Sequence, residues 1–271
     1  MQAIQTRETP IKQAAKSHAV LRRLVPGLMV LALLALWEGI VLLEIYPTFI
    51  IPPPLVVAER LFEVLADGTL WKHTQVTLVA VLSGLAIGLS IGVLLGYFIA
   101  RSRILEELLS PIIISLQSTP IVAYAPLLVI WFGSGPTSKV VTSALIVFFP
   151  TLMNTVVGIR NVPQPLRDLM RSQRATRWQT LTKLEIPAAM PVLLSGLKIS
   201  ATLAVIGAVV GEFVSANAGL GFLITIARNQ FDTPLVLVAV ITLAAMARLL
   251  YSAVVLLERR VLAWQTYEHR R

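Results

Sequence analysis

Arg160-Asn161-Val162-Pro163-Gln164-Pro165-Leu166-Arg167-Asp168-Leu169-Met170-Arg171-Ser172-Gln173-Arg174 begins a polar stretch that closes on Leu184-Glu185-Ile186-Pro187. It is the longest polar interruption in an otherwise apolar chain, and it lies between two hydrophobic runs of the length that crosses a bilayer, ~20 residues. A charged, partly amphipathic helix that ends in proline and is held between two spans is a docking element for something outside the bilayer. The chain therefore reads as a membrane subunit driven by a separate partner.

Working outward, the whole composition supports a membrane location. The chain is 56% hydrophobic and only 14% charged, with a mean hydropathy of +0.79, beyond what a soluble domain carries. Six apolar runs are predicted as helical spans: 25–43, 75–100, 112–132, 140–159, 188–214 and 235–257. The expected fold is thus an all-α membrane protein. Residues 1–24 form an N-terminal tail, 25–259 one transmembrane domain interrupted by the loop 160–187, and 260–271 a C-terminal tail. Pro111, Pro120 and Pro126 predict a broken or kinked third span.

The net charge of +9 could suggest nucleic acid, but its placement argues otherwise. With the N-terminus in the cytoplasm, 17 Lys and Arg residues fall inside and four (Arg60, Lys72, Lys139, Arg228) outside. That split follows the positive-inside rule and predicts both termini in the cytoplasm. Lys198 and Arg248 fall within spans and are expected to snorkel to the interface. The first run has no small-residue cleavage site and reads as a retained span. There is no cysteine, which excludes disulfides, Cys-based metal sites and thiol catalysis.

The spans carry different side chains. Gly84, Gly88, Gly92 and Gly96 lie four apart, hence on one helix face. They predict a seam where another helix approaches closely, with a gating role as the alternative. Gln117, Ser118 and Thr119 precede Pro120, and Tyr124 follows it. Polar groups beside a proline at membrane depth belong in a protein interior or along a cavity. With Asn154, Thr155 and Glu212 they make a sparse polar lining for a translocation pathway. Glu212 either caps the outer end of its helix or faces that pathway. His18, His73 and His269 are far apart and read as outside the spans, so neither metal nor acid–base chemistry is expected.

These residues resemble the inner-membrane permease subunit of ATP-binding-cassette importers, in the nitrate, sulfonate, taurine and bicarbonate group. The likeness runs from Pro47 to Trp264. It is carried by Trp131-Phe132-Gly133 with Ser138-Lys139, Phe148-Phe149-Pro150, Asn154-Thr155, Gly196-Leu197-Lys198, Gly211-Glu212-Phe213, Gly219-Leu220-Gly221 and Leu256-Leu257-Glu258-Arg259-Arg260. The family's coupling motif has a Glu-Ala-Ala triplet, a Gly four residues after its last Ala, and a terminal Ile-x-Leu-Pro. Here the triplet is Asp168-Leu169-Met170, the Gly position holds Arg174, and the ending is Leu184-Glu185-Ile186-Pro187. Gly would permit a left-handed turn between two short helices, which Arg disfavours. A reshaped turn and a contact of Arg174 with the partner are both open.

The resemblance implies a type I importer permease in the bacterial inner membrane. Two copies would form the pathway, two ATPase subunits would dock on the cytoplasmic loop, and an extracytoplasmic binding protein would deliver substrate. The chain lacks a phosphate-binding Gly-x-x-x-x-Gly-Lys-Ser/Thr loop, so ATP and Mg²⁺ would sit on the partner and this subunit would be non-catalytic, with no cofactor of its own. Leu166, Leu169, Met170, Trp178 and Leu181 could fill a partner groove, Arg167, Arg171 and Arg177 could contact acidic residues of the partner, and Asp168, Arg174 and Pro187 complete the coupling set.

Substrate is read from two places. Oxyanion importers of the group often carry an Arg three residues before the third-span proline, where this chain has Gln117. Loss of a fixed cation removes a strong anion contact. Gln230-Phe231-Asp232-Thr233-Pro234 also looks like relatives that import vitamin-type heterocycles such as riboflavin or the thiamine pyrimidine. A neutral or heteroaromatic nutrient is therefore favoured over an oxyanion, the alternative within the same importer class. An ion-coupled secondary transporter, which would need midplane ion ligands and an internal repeat, is the distant alternative.

Overall fold

The structure, a computed structural model, describes residues 10–263. Eleven α-helices follow one another within that range: α1 (Pro10–Leu42), α2 (Pro54–Ala66), α3 (Thr69–Arg101), α4 (Arg103–Ser118), α5 (Ala125–Phe132), α6 (Pro136–Arg160), α7 (Gln164–Ser172), α8 (Arg177–Thr180), α9 (Ile186–Val214), α10 (Leu220–Asn229) and α11 (Thr233–Val261). Proline marks many of the starts. α2, α5, α6, α7, α9 and α11 each carry one in their first two positions, where the missing N–H would have had no helical partner.

Among the described residues, four helices are long and apolar enough to cross a membrane: α3, α6, the continuous run Arg177–Val214, and α11. The α4–α5 pair, bent by 80° at Thr119–Pro120, brings the candidate spans to five. This is the third span broken at Pro120 that its prolines predict. The run 25–43 falls on α1, whose described apolar stretch is Gly27–Leu42. Residues 10–24, within the expected N-terminal tail, are helical and run on into α1, and α3 starts six residues before the apolar run, so His73 belongs to the same helix as that run. Residues 1–9 and 264–271, including Trp264 and His269, lie outside the described range.

The core is a three-helix seam in which α6 packs against both α3 and α9. Gly84, Gly88, Gly92 and Gly96 of α3 are all buried. They face Ser143, Val147, Thr151 and Thr155 of α6, another series stepping by four. A Cβ at Gly88 would come within 2.6 Å of the Ala144 carbonyl oxygen, and one at Gly92 within 2.9 Å of Thr151 Cβ. Only glycine permits this approach, and close approach is what lets van der Waals contact hold helices together where lipid supplies no hydrophobic drive. On the other side of α6, a Cβ at Gly207 would come within 2.6 Å of Ser143 Cα, and one at Gly211 within 2.9 Å of Lys139 Cα. The Ser143 hydroxyl donates to the Ala204 carbonyl (2.9 Å) and Thr151 bonds Ser200 (3.1 Å), so the buried hydroxyls tie α6 to α9.

Around this seam α2, α10 and α11 close one end over an apolar cluster that includes Val57, Leu220, Leu223 and Val238. α4 touches the bundle lightly, through Ile113 against Ile99, Phe149 and Leu152. Lys198 is ion-paired across the bundle. Its ammonium donates to both carboxylate oxygens of Glu258 on α11 (2.9 Å each), a charge-assisted contact that ties α9 to α11.

Candidate functional site

At the end of the bundle where α6 finishes, the polar stretch folds into two helices instead of one. α7 stops in a complete Schellman arrangement: the Ala175 N–H donates to the Met170 carbonyl (3.0 Å) and the Arg174 N–H to the Arg171 carbonyl (2.9 Å). This places Arg174 at φ +53°, in the left-handed region. The left-handed turn is therefore kept without glycine, at a strain of about 1–2 kcal/mol. α8 then opens with a capping box, in which Thr176 Oγ1 accepts from the Gln179 N–H and Gln179 Oε1 accepts from the Thr176 N–H.

From Arg177 the helix runs without a break through a π turn at Leu181–Glu185 into α9. The expectation that the segment ends at Pro187 is thus corrected. Pro187 sits in the first turn of α9, and the wider turn before it, with the Ile186 N–H bonded to the Leu181 carbonyl, absorbs its missing donor.

Both ends of the segment are clamped. Arg160 donates to both oxygens of Glu106 on α4, at 2.5 and 2.7 Å. At the far end Glu185, fully buried, accepts from Arg101 at the close of α3 (2.8 Å). Arg167 lies 3.9 Å from its other oxygen and donates to the Ile159 carbonyl at 2.6 Å. Asp168 stays local, accepting from Gln164 (3.0 Å) and Arg171 (3.4 Å). Leu166, Leu169 and Trp178 are exposed, the last at 70%, while Met170 and Leu181 are half-buried. The segment thus offers apolar side chains outward and is wired inward to α3 and α4.

The residues predicted for a translocation lining separate into three groups. Gln117, Ser118, Thr119 and Tyr124 do lie together, at the break between α4 and α5. The Ser118 hydroxyl bonds back to the Ile114 carbonyl (2.7 Å) and that of Thr119 to Ser115 (3.2 Å), while Gln117 is exposed. Asn154, half-buried, lies against Gly196 and lines a mostly apolar cavity of about 220 Å³ with Leu89, Thr151 and Leu194.

Thr155 and Glu212 do not line an open surface. Thr155 is buried against Gly96 and bonds the Thr151 carbonyl (2.8 Å). Glu212 is 1% exposed. Its carboxylate accepts from Thr77 (2.8 Å) and from the Gly221 N–H (2.7 Å), so it caps the start of α10 instead of the end of its own helix. Thr77 in turn accepts from the Leu220 N–H (2.8 Å), and the Gly219 N–H donates to His73 Nδ1 (3.0 Å). Gly219, at φ +125°, has the Glu212 carboxylate directly against the position a Cβ would take, so no side chain fits there. Lys139, buried, donates to the Ala218 carbonyl (2.9 Å) and completes the knot. His73 and Lys139 both belong to this anchor, a role that their positions in the sequence did not reveal.

Nearby, Asp232 caps α11 through the Leu235 N–H (3.0 Å) and holds Arg60 of α2 (2.7 Å). Part of the Gln230–Pro234 stretch that suggested a substrate class is therefore occupied in a structural corner.

Comparison with known proteins fits this geometry. The family described as the binding-protein-dependent transport system inner membrane component matches residues 88–263. The chain belongs to that family. The riboflavin transport system permease protein RibX of Chloroflexus aurantiacus is 48% identical over 86% of this chain and 87% of its own length. The formylaminopyrimidine transport permease protein ThiX of Halalkalibacterium halodurans is 33% identical, over 89% and 95%. The taurine transport system permease protein TauC of Escherichia coli is 32% identical, over 86% of each. Among solved structures, an inward-facing MetNI methionine ABC transporter shares the fold with a TM-score of 0.59, over 73% of this chain and 96% of the matched chain at 23% identity. This permease subunit of an ABC importer is thus an all-helical, multi-pass membrane protein, of a kind that works with an ATPase and a substrate-binding protein.

Proposed function

We propose that this permease carries a vitamin-type heterocycle, of the riboflavin or thiamine-pyrimidine kind, inward across a bacterial plasma membrane. The observation that carries the substrate class is the 48% identity to a riboflavin permease, next to 33% identity to a formylaminopyrimidine permease. Gln117 at the α4–α5 break supports it, because an amide offers neutral donors and acceptors where an oxyanion would call for a cation. The second reading, a sulfonate or taurine, is favoured by relatives at 32% identity.

In the proposed assembly two copies of the chain pair in the membrane, both termini are cytoplasmic, and two ATPase subunits dock on residues 164–185. ATP and Mg²⁺ are held by those subunits, and this chain binds no cofactor. Leu166, Leu169 and Trp178 enter the ATPase groove. Arg160–Glu106 passes its movement to α4 and the bent span, and Arg101–Glu185 passes it to α3. Gln117, Ser118, Thr119, Tyr124 and Asn154 meet the substrate.

The test is purification of the tagged chain from its host in mild detergent, with identification of the co-purifying proteins. A phosphate-loop ATPase and an extracytoplasmic binding protein are expected, and calorimetry on that binding protein should detect riboflavin or a formylaminopyrimidine. Binding of taurine with no response to either heterocycle would replace the first reading by the second.

A further inference from the structure

Beneath the coupling segment lies a cleft of about 670 Å³ that docking of α7 and α8 does not account for. Arg101 closes α3 on one wall, Arg167 and Arg171 descend from α7, and Arg177 opens α8. Two carboxylates oppose these four guanidinium groups: Glu185, held by Arg101 at 2.8 Å, and Asp168, 3.4 Å from Arg171. Arg177 has no hydrogen-bonding or ion-pair partner among the described residues. All four cations are arginines, whose planar forks match phosphate oxygens two at a time.

The floor supplies an independent observation. Glu185 Oε1 is buried without a hydrogen bond, the Arg167 guanidinium standing 3.9 Å away, an ion pair beyond hydrogen-bonding distance. The cleft thus presents guanidinium donors from its walls and one unsatisfied acceptor below. Its complement is a phosphate ester with a hydrogen-bond donor a few bonds away. The third observation is depth. Tyr97, with the Arg101 guanidinium 5.5 Å above its ring, and the half-exposed Phe98 line the same cleft in the last turns of a spanning helix. That is the aromatic level at which a helix leaves the bilayer, and basic pockets at this level suit lipid headgroups.

We propose that this cleft binds the headgroup of a phospholipid that carries a hydroxyl or ammonium donor beside its phosphate, such as phosphatidylglycerol or phosphatidylethanolamine. The phosphate lies between Arg171 and Arg177, the donor reaches Glu185 Oε1, and the acyl chain leaves along Phe98. So placed, the lipid braces α7 and α8 against the end of α3 and makes the coupling segment sensitive to the composition of the membrane.

Native mass spectrometry of the full-length chain in detergent tests this, titrated separately with phosphatidylglycerol, with phosphatidylcholine, whose headgroup has no donor, and with glycerol 3-phosphate. The chain should retain one phosphatidylglycerol in preference to phosphatidylcholine. Arg177→Gln, which breaks no contact within the chain, should weaken retention about fivefold, and Arg171→Gln with Arg177→Gln about 25-fold. Arg174→Gln, in the same segment but outside the cleft, should leave it unchanged. Equal retention by the parent and the double variant, or an equal loss in Arg174→Gln, would overturn the proposal. Glycerol 3-phosphate bound as tightly as the lipid would assign the cleft to soluble phosphate esters instead. A parent chain that holds no lipid but whose Arg171 and Arg177 variants lose the ATPase would assign it to an acidic face of that subunit.

Discussion

In the seam of α3, α6 and α9, backbones meet over glycine and the hydroxyls of Ser143, Thr151 and Thr155 each find a partner inside the chain. In α4, α5, α7 and α8 the pattern reverses. Ile104, Leu108, Ile130, Trp131 and Trp178 are all exposed, and α4 meets the rest through few residues. The first region is completed by its own sequence, and the second leaves large apolar side chains uncovered by the rest of the chain. Two ion pairs join them, Arg160–Glu106 and Arg101–Glu185. A closed body with an unfinished arm wired to it is what a subunit moved by a partner requires, because force applied to the arm must arrive at helices that do not yield.

The sharpest way to break the comparison is to spoil the seam. Gly88→Leu places its first carbon within 2.6 Å of the Ala144 carbonyl and the rest of the side chain deeper still. A loss of roughly 3 kcal/mol or more is expected, at or beyond the upper end of the usual overpacking cost. It should read out as unfolded or degraded protein in detergent melting. Gly27→Leu, with nothing within 4 Å of its added carbon, is the matched control and should melt like the parent. Equal melting of the two variants would mean the seam is not held by close approach.

The clamp comes next. Arg101→Gln leaves the carboxylate of Glu185, 1% exposed, without its bonded cation. Removing one partner of a fully buried pair costs about 3–5 kcal/mol. Because Arg101 is 33% exposed, about 2 kcal/mol is the expected figure. Glu185→Gln in the same chain should recover most of it. Additive losses in the double variant would show that the pair does not interact.

The smallest effect is expected at the turn. Arg174→Gly relieves the left-handed strain at φ +53° but frees the unfolded chain, so a gain of no more than about 1 kcal/mol should remain. Hydrogen exchange should show the Ala175 amide protected up to about fivefold better, with transport unchanged. A loss of transport would instead give Arg174 a contact with the partner.

Much of this was legible in the sequence. Spacing alone puts Gly84, Gly88, Gly92 and Gly96 on one face, because the helical period is fixed by geometry. The break at Pro120 follows from the absent N–H. What spacing cannot reveal is the partner across a seam, and here Ser143, Val147, Thr151 and Thr155 became visible only in three dimensions. Glu212 and Thr155 looked like lining because a polar residue in an apolar run has the same signature whether it faces a channel or caps a neighbouring helix. Glu212 meets Thr77, 135 positions away, and no local pattern announces such a contact. Glu185 was missed although it is one of only two acids among six cations in the coupling loop, a ratio that pointed to a buried counter-charge. The Thr176-x-x-Gln179 capping box was also readable and marked the start of the second helix.

The most direct test of the account is Trp178→Asp in the reconstituted importer, with binding protein, substrate and ATP present. Trp178 is exposed and forms no part of the seam, so the variant should melt like the parent. Its substrate-stimulated ATP hydrolysis and its uptake should both fall by about tenfold or more, as for loss of a central aromatic anchor at an interface. Parent-like uptake and stimulated hydrolysis in that variant would contradict the claim that the arm from α7 to α8 is where this permease is driven.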